Sequence, residues 1–377
     1  MSPIADLHFE RASQLYAQSR TDEAIYELKQ AVSNDPRHVR SYLALARVYE
    51  AQSEFDDALS VYRCILQIDI DNATANLRLG TLLSRLGRND EALMPLRMAW
   101  SNDRTNATAA MALAGVLEET GDIATAQIMY EEALRLNLEL NEARCRLAGI
   151  RYVQQKYEAA IAQYVTYMLK AGDTGPAHRN IGKAFVKMGK VDPAIRSFDK
   201  AKALSPDDPA IYFHLGLAYT LKDNYEAAIE NYNLAVQLDP DHVEARYNLA
   251  KALRFNGNID DAVSQFQNVL FQSPDHYRAM NGLVNCLLLL GDNDGAADLL
   301  REAVVMAPDY DLAHHNLGIA LQNLASEDEA NFHFDQSMRL NAAEQAAFSA
   351  ADNLMQRSGL NPPHRGSGNP THRLLAV

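Results

Sequence analysis

Apolar and polar residues follow each other along the chain with the spacing of amphipathic helices. In the stretch YFHLGLAYTLKDNYEAAIENYNLAVQLDP, residues 212–240, Leu215 and Tyr219 lie four residues apart, and so do Ala228 and Tyr232. Residues four apart share one face of a helix, so each pair marks the buried face of its own helix. A short polar segment separates the pairs. The stretch therefore predicts two amphipathic helices joined by a turn.

The same pattern recurs every 34 residues. A leucine or isoleucine stands thirteen residues before the repeated alanine in every unit but the first, which has Arg11 there. The alanines that fall on one place are Ala24, Ala58, Ala92, Ala126, Ala160, Ala194, Ala228, Ala262, Ala296 and Ala330. A period this strict predicts an architecture of ten repeats.

Each repeat has residues that favour a close helix pair. Small residues such as Gly216 and Ala228 let two helix axes approach. Glycines that can adopt a left-handed conformation end the first helix in five repeats. These glycines are Gly87, Gly121, Gly189, Gly257 and Gly291. One helix pair cannot bury its apolar face alone, so neighbouring repeats must stack.

The pattern resembles the tetratricopeptide repeat family. The residues that best keep the family signature are Tyr212, Leu215, Gly216, Tyr219, Ala228, Tyr232, Ala235 and Pro240. The resemblance implies an all-α fold, a right-handed α-solenoid or superhelix of ten helix-turn-helix repeats with a C-terminal capping helix. It also implies that the first helix of each repeat lines a concave groove. In this family that groove usually binds peptide segments or partner proteins.

The repeats suggest a division of the chain into four parts. The junction AGDTGPAHR between repeats five and six holds two glycines and Pro176, and it reads as a loop with a helix-opening proline, with a hinge as the alternative. Pro95 lies inside a second helix, where a local kink is expected. The four parts are repeats one to five at 5–174, repeats six to ten at 175–344, a capping helix at 345–360 and a disordered tail at 361–377.

Charge, hydropathy and cysteine positions exclude several classes of function. The net charge of −14 argues against a nucleic-acid surface, because phosphate binding is driven by clustered Lys and Arg. The sequence lacks an apolar run long enough to span a membrane and lacks the pattern of a signal peptide, so a cytoplasmic protein is expected. Cys64, Cys145 and Cys286 fall in distant repeats and are expected to be reduced thiols.

The search for catalytic chemistry predicts no enzyme, no metal site and no cofactor. Gly182 and Lys183 lack the spacing of a phosphate loop. His314, His315 and His333 could approach each other in repeat ten, but ordinary packing explains them. The NAT motifs at Asn72 and Asn106 read as helix-start residues rather than glycosylation sites.

The inner face of the first helices changes character along the chain. Repeats one to five carry an apolar stripe, beside which Gly115 and Gly149 leave room for close approach. The stripe consists of Phe9, Leu43, Leu77, Met111 and Cys145. Later repeats carry cations and amides, which suit an extended peptide with acidic side chains or a terminal carboxylate. This predicted basic groove consists of Arg179, Asn180, Lys183, Lys187, Asn248, Lys251, Arg254, Arg278, Asn281, Asn285 and Asn316.

The inner face of the first helices allows several interpretations. The stripe can pack against neighbouring repeats, and the cations can form a solvated surface. The family's carboxylate clamp is not found, because His214 and Glu244 occupy places where it needs Asn and Lys. The recurring asparagines resemble the ladder of glycosyltransferase-linked repeats, but His214 and Gly282 interrupt it. We expect a non-enzymatic adaptor for a protein or peptide partner, with a self-associating scaffold or the regulatory, substrate-presenting subunit of a separate enzyme as alternatives.

Overall fold

The computed structural model describes residues 2–357, and for 343–357 it describes the backbone only. This part of the chain consists of twenty α-helices and contains no strand. The first helices of the repeats are α1 (Pro3–Ala17), α3 (Val39–Ala51), α5 (Ala73–Arg85), α7 (Ala107–Glu119), α9 (Asn141–Val153), α11 (Gly175–Lys187), α13 (Pro209–Thr220), α15 (Val243–Phe255), α17 (Tyr277–Leu290) and α19 (Asp311–Asn323). The second helices are α2 (Thr21–Asn34), α4 (Phe55–Ile68), α6 (Asn89–Asn102), α8 (Ile123–Leu136), α10 (Tyr157–Ala171), α12 (Val191–Leu204), α14 (Tyr225–Leu238), α16 (Ile259–Gln272), α18 (Asn293–Met306) and α20 (Glu327–Arg357). The prediction of an all-α helical repeat solenoid of about ten repeats is confirmed.

The chain divides into two compact units, with the boundary between Ala184 and Phe185 inside α11. We call the part before this boundary unit 1 and the part after it unit 2. The repeat-based boundary between 174 and 175 stays a prediction. At that place α10 ends at Ala171 and α11 begins at Gly175, so Pro176 stands in the first turn of a helix.

In unit 1 each helix from α1 to α10 packs against the next one along the chain. The core forms where a bulky residue of the second helix fills the space beside a small residue of the first. Tyr62 and Tyr130 are almost fully buried in this way, and Ala46 and Ala114 are the small residues of the same repeats. Removing a large side chain from water stabilises the fold by about 1.5–3 kcal/mol.

In unit 2 consecutive helices from α12 to α20 also pack in order. Phe198, Tyr232 and Phe266 take the core positions that Tyr62 and Tyr130 take in unit 1, and all three are fully buried. The regular repeat of this packing explains the strict period of the sequence. Each neighbouring pair of helices needs the same combination of small and large side chains.

Every turn between the two helices of a repeat contains one residue with a positive φ. The sequence pattern identified this position only where it holds glycine. In the other five repeats a different residue type adopts the same conformation, which L-residues enter at a cost of about 1–2 kcal/mol. The ten residues are Ser19, Ser53, Gly87, Gly121, Gln155, Gly189, Asp223, Gly257, Gly291 and Ala325. The left-handed turn is therefore a property of the repeat rather than of its glycines.

Local signals at the helix ends behave as expected. The side chain of Asn72 accepts a hydrogen bond from the backbone N–H of Ala75 at 3.0 Å, and Asn106 accepts one from Ala109 at 3.1 Å. Both asparagines are therefore N-caps, which satisfy a backbone donor that the helix leaves unpaired.

Pro95 lies within α6, which continues as one helix on both sides of it.

The last helix is the longest. α20 is 31 residues long and includes both the second helix of repeat ten and the region of the predicted capping helix at 345–360 as far as Arg357. The remainder of that prediction and the predicted tail at 361–377 lie outside the described residues.

Candidate functional site

The apolar stripe lies in unit 1, on α1, α3, α5, α7 and α9. All five side chains are partly buried, and Phe9, Leu43, Leu77 and Met111 pack against the core. Burial also raises the pKa of the Cys145 thiol. The stripe thus has a packing role, and it leaves part of each side chain accessible.

The two glycines beside the stripe face tyrosines of the second helices. A Cβ added to Gly115 would lie 3.8 Å from the phenol oxygen of Tyr130, and one added to Gly149 would lie 3.9 Å from that of Tyr164. These are ordinary van der Waals distances. A Cβ would therefore fit at either glycine without displacing the tyrosine.

Unit 1 also carries carboxylates that the sequence analysis did not single out. Tyr62 donates a hydrogen bond to Glu50 at 2.5 Å, and Tyr130 donates one to Glu118 at 2.7 Å. Burial and the bonded carboxylate raise the pKa of both phenols. Arginines lie beside the same acids, with Arg85 3.6 Å from Glu50. The inner helices of unit 1 therefore carry charges of both signs.

Three residues of the predicted basic groove lie on α11 within unit 1. Arg179, Asn180 and Lys183 are all partly buried. The Nζ of Lys183 lies 5.5 Å from the centroid of the Tyr152 ring, within the range of a cation–π contact. Asn180 hydrogen-bonds to the Tyr164 phenol, and burial raises the pKa of that phenol to about 12. Arg179 and Lys183 are thus cations held next to tyrosines.

In unit 2 the structure places two of the predicted cations over one aromatic ring, and a third lies one turn away on α15. The Nζ of Lys251 lies 5.6 Å from the centroid of the Tyr247 ring, and the guanidinium carbon of Arg278 lies 5.1 Å from the same centroid. Arg254 stands one turn after Lys251 on α15, with its guanidinium 4.4 Å from the Phe255 ring. We call Glu244, Tyr247, Lys251, Arg254 and Arg278 the Lys251 cluster.

The only acid in this cluster is bound by one of its arginines. Arg278 Nη2 donates a hydrogen bond to Glu244 Oε1 at 2.7 Å, and this pair links α17 to α15. His276 Nε2 also lies 3.9 Å from Glu244 Oε1. The His276 Nδ1 accepts a hydrogen bond from the Ala279 N–H at 3.1 Å, so this histidine caps the N-terminus of α17.

Lys251 is the half-buried member of the cluster. Its pKa is lowered first by burial and then by the charges of Arg254 and Arg278. Within the described residues, no ion pair joins Lys251 to an acid. The cluster therefore holds an ammonium group against two guanidinium groups, where a bound anion would relieve the repulsion.

The predicted amides divide into two groups. The amide of Asn316 donates a hydrogen bond to the side-chain oxygen of Asn281, and both residues are buried, so this pair joins α19 to α17. Asn248 donates to the backbone oxygen of Glu244 at 2.7 Å. Asn285 is partly buried on α17, and Lys187 is exposed at the end of α11. The buried pair contributes to packing between repeats, whereas Asn248 stands one turn before Lys251.

Sequence reasoning missed the aromatic residue at the centre of the cluster. Tyr247 occupies the place that Phe9, Leu43 and Cys145 occupy in earlier repeats, so the period itself could have identified it. The ring of Tyr247 also lies 5.0 Å from that of His276. Burial raises the pKa of the Tyr247 phenol, which keeps it neutral.

Other chemistry was sought in the described part of the chain. No group of three or more His, Cys, Asp or Glu side chains there could hold a metal ion. No described helix combines the length and the apolar character needed to cross a membrane. The Nδ1 atoms of His314 and His333 lie 2.9 Å apart, and His314 Nε2 lies 3.1 Å from the Pro308 oxygen. This histidine pair joins the two helices of repeat ten.

Comparisons with known proteins agree with the repeat pattern. A family model described as a tetratricopeptide repeat matches residues 9–73, 111–176 and 247–311. A second model, described as a TPR repeat, matches 182–223 and 218–257. A search of the curated proteins found no match.

Several solved structures resemble this chain. The C-terminal part of a TPR repeat-containing protein from Cytophaga hutchinsonii is 17% identical with a TM-score of 0.52, over 63% of this chain and 98% of that chain. Yeast Tom70 is 14% identical with a TM-score of 0.43, over 94% and 96% of the two chains. PilF from Pseudomonas aeruginosa is 21% identical with a TM-score of 0.48, over 55% and 94%. At these identities the likeness concerns the fold alone.

Proposed function

Because the chain belongs to the tetratricopeptide repeat family, we propose that it is a non-enzymatic protein–protein interaction adaptor. It holds an extended or helical segment of a partner against the first helices of its repeats. The observation that carries this proposal is the Lys251 cluster. Two cations, Lys251 and Arg278, lie over one buried ring there, on a chain whose net charge is −14.

The cluster favours a partner segment with acidic residues. Cations on one surface repel each other, and this repulsion is relieved when a carboxylate binds between them. Arg254 and Arg278 offer planar donors that match a carboxylate, and Asn248 offers an amide one turn before Lys251. Arg179 and Lys183 of unit 1 and Lys187 of unit 2 stay predicted partner contacts, each of its own unit.

A display library of random peptides tests this function. We expect the protein to enrich peptides rich in Asp and Glu. The variant with Lys251→Ala and Arg254→Ala should lose this enrichment. A matched variant with Lys200→Ala and Lys202→Ala removes the same charge from α12, a second helix, and should keep it. Enrichment of apolar peptides by the parent and both variants would instead assign binding to the apolar stripe of unit 1.

Self-assembly is the second candidate function, and one observation favours it. Leu7 is 48% exposed, whereas Ala75, Ala109 and Ala143 at the equivalent place of later repeats are fully buried. The first repeat thus leaves open a face that later repeats cover, and apolar faces of this kind often mark interaction sites. Size-exclusion chromatography across concentrations measures the oligomeric state and so distinguishes a self-assembling scaffold from a monomeric adaptor. The Leu7→Glu variant, which places a charge on the exposed face, is the control.

A further inference from the structure

Three second helices of unit 2 expose apolar side chains at their C-terminal ends. Phe271 is 89% exposed in the last turn of α16, and Val305 and Met306 are 79% and 56% exposed in the last turn of α18. Leu238, the last residue of α14, is 42% exposed. We call Leu238, Phe271, Val305 and Met306 the Phe271 patch.

The packing of the repeats does not require apolar residues here. Phe271 and Val305 occupy the same place in the 34-residue period. In repeats one to four this place is polar and holds Ser33, Gln67, Ser101 and Arg135. In repeat ten it holds Arg339, so the apolar row ends at α18. Apolar side chains that are exposed together on neighbouring elements mark an interaction surface.

A hydrogen bond connects neighbouring parts of the patch. Gln272 Nε2 donates to the backbone oxygen of Pro240 at 3.1 Å, so the end of α16 lies against the turn that follows Leu238. Met306 occupies the place of Gln272 one repeat later. The repeat therefore sets Met306 beside the turn that follows α16. The exposed apolar side chains thus follow one another along one side of unit 2.

The surroundings of the patch are strongly acidic. Residues 255–342 contain thirteen Asp or Glu, three Arg and no Lys. Asp241, Asp275 and Asp309 are exposed and stand three residues after the ends of α14, α16 and α18. Among the described residues, no Lys or Arg lies within ion-pair distance of these three carboxylates. Arg246 bonds to the backbone of the turn after α14, at 2.9 Å, and is partly buried. The helix C-termini add partial negative charge.

We propose that the Phe271 patch binds a basic amphipathic helix of a partner protein. Such a helix presents a continuous apolar stripe that can cover the ends of three helices, with Lys and Arg along its flanks. Burial of Phe271 and Val305 supplies affinity, and Asp241, Asp275 and Asp309 select a cationic partner. The same carboxylates repel the phosphates of nucleic acids and anionic membranes. This surface is separate from the Lys251 cluster and goes beyond the proposed function.

Fluorescence anisotropy with a labelled peptide of leucine and lysine, arranged with the period of an amphipathic helix, tests the inference. A peptide of the same composition in scrambled order is the comparison. We expect the parent to bind the amphipathic peptide at least about tenfold more tightly than the scrambled one. The Phe271→Gln, Val305→Gln variant should bind the amphipathic peptide at least about tenfold more weakly than the parent. Its fold should be kept, because glutamine occupies this place in repeats two and seven.

Two matched variants and one charge variant complete the test. Tyr26→Gln, Met94→Gln removes two exposed apolar side chains from second helices of unit 1 and should bind the amphipathic peptide like the parent. Asp275→Asn, Asp309→Asn should weaken binding by a factor of about five or more at low salt. Asp260→Asn, Asp261→Asn removes the same charge from the other end of α16 and should have a smaller effect.

Each contrary outcome overturns a stated part of the inference. Unchanged binding by the Phe271→Gln, Val305→Gln variant would exclude the patch as the site. Equal losses in the two aspartate variants would assign binding to the general negative charge of unit 2, against a defined surface. A patch-dependent change in the size-exclusion profile would assign the patch to contacts between copies. Patch-dependent binding of phosphatidylcholine vesicles would assign it to a membrane.

The proposed function is tested separately. The Phe271→Gln, Val305→Gln variant should bind an oligoglutamate peptide like the parent, because the Lys251 cluster is unchanged. Loss of oligoglutamate binding in this variant would show that the patch is not a separate surface. Failure of the basic peptide to bind would overturn the inference on the Phe271 patch and leave the acidic-segment adaptor in place.

Discussion

Gly216 and Tyr232 lie so close together that a Cβ added to Gly216 would be 2.5 Å from Cε1 of the tyrosine ring. The glycine belongs to α13 and the tyrosine to α14, so this approach sets the distance between the two helices of repeat seven. Tyr232 is fully buried at that point. The contact explains why the repeat needs a very small residue opposite a large ring.

Gly216→Ala should destabilise the protein although alanine favours helices. Real Cβ atoms do not approach a ring this closely, so Tyr232 or the helix must shift, and overpacking of this kind costs about 1–3 kcal/mol. Gly115→Ala is the matched control. Its Cβ would meet only the Tyr130 phenol oxygen at 3.8 Å, and the change should stabilise by up to about 1 kcal/mol. Urea unfolding of both variants measures the difference, and equal effects would show that Tyr232 does not restrict position 216.

Gln155→Gly should stabilise unit 1. Gln155 has a φ of 62° in the turn between α9 and α10, where glycine carries no steric penalty. We expect a gain of about 1 kcal/mol in the free energy of unfolding. Gln163→Gly, inside α10, is the control and should lose about 1 kcal/mol because glycine weakens a helix interior. A loss of stability in Gln155→Gly would mean that the glutamine side chain has contacts worth more than the strain.

The histidine pair of repeat ten should make unit 2 sensitive to acid. Burial and then the neighbouring His314 lower the pKa of His333 below its ordinary value of 6.5, with Arg301 acting in the same direction and Glu329 against it. The unfolded chain then binds the proton more readily than the folded chain. The stabilisation from neutral His333 is complete above about pH 7 and decreases as the pH falls through 6.5 towards the folded pKa.

Denaturant unfolding of the parent and of His333→Gln at several pH values measures this contribution. The glutamine retains a donor but does not titrate in this range. The difference in unfolding free energy between the two proteins should change between about pH 7.5 and 5.5. A difference that stays constant with pH would exclude His333 as the responsible group.

Trp100 should report on unit 1 and not on the Lys251 cluster. Its side chain is buried near the end of α6, and the guanidinium of Arg104 lies 5.1 Å from its ring. Because it is the only tryptophan, its fluorescence should change on unfolding of unit 1. Addition of an acidic peptide should leave the spectrum nearly unchanged. A large spectral change on binding would show either coupling to unit 1 or a binding site in unit 1.

The repeat could be predicted from the sequence because its packing is local and strict. Residues such as Ala228 are fully buried in a place where every repeat needs a small side chain, and this requirement is visible as a period. The Asn72 cap is a short-range signal and was also predictable. The left-handed residues Ser19, Ser53 and Gln155 were not identified, because only glycine reveals a positive φ by its residue type.

The candidate site was less predictable, because it depends on which side chains meet between repeats. The sequence placed Asn281 and Asn316 on the inner face, and the structure shows that they are buried and bonded to each other. Conversely, the sequence analysis did not single out Tyr247, whose ring lies beside Lys251 and Arg278. Pairings such as Asn281 with Asn316 and Tyr247 with Arg278 depend on side-chain conformations and on residues of neighbouring repeats, which a 34-residue period does not encode.

The central claim is that the Lys251 cluster, and not a general surface charge, binds an acidic segment. Fluorescence anisotropy with a labelled oligoglutamate peptide tests this claim most directly, at about 0.05 M and about 0.3 M salt, since exposed charges are screened beyond about 10 Å at 0.1 M. The account predicts that the Lys251→Ala, Arg254→Ala variant binds at least about tenfold more weakly than the parent at low salt. The difference in peptide affinity between this variant and the parent should become smaller at high salt. The Lys200→Ala, Lys202→Ala variant should bind the peptide like the parent. If the affinity of the Lys251→Ala, Arg254→Ala variant and its salt dependence both match the parent, the cluster is a solvated face and the apolar stripe of unit 1 becomes the better candidate.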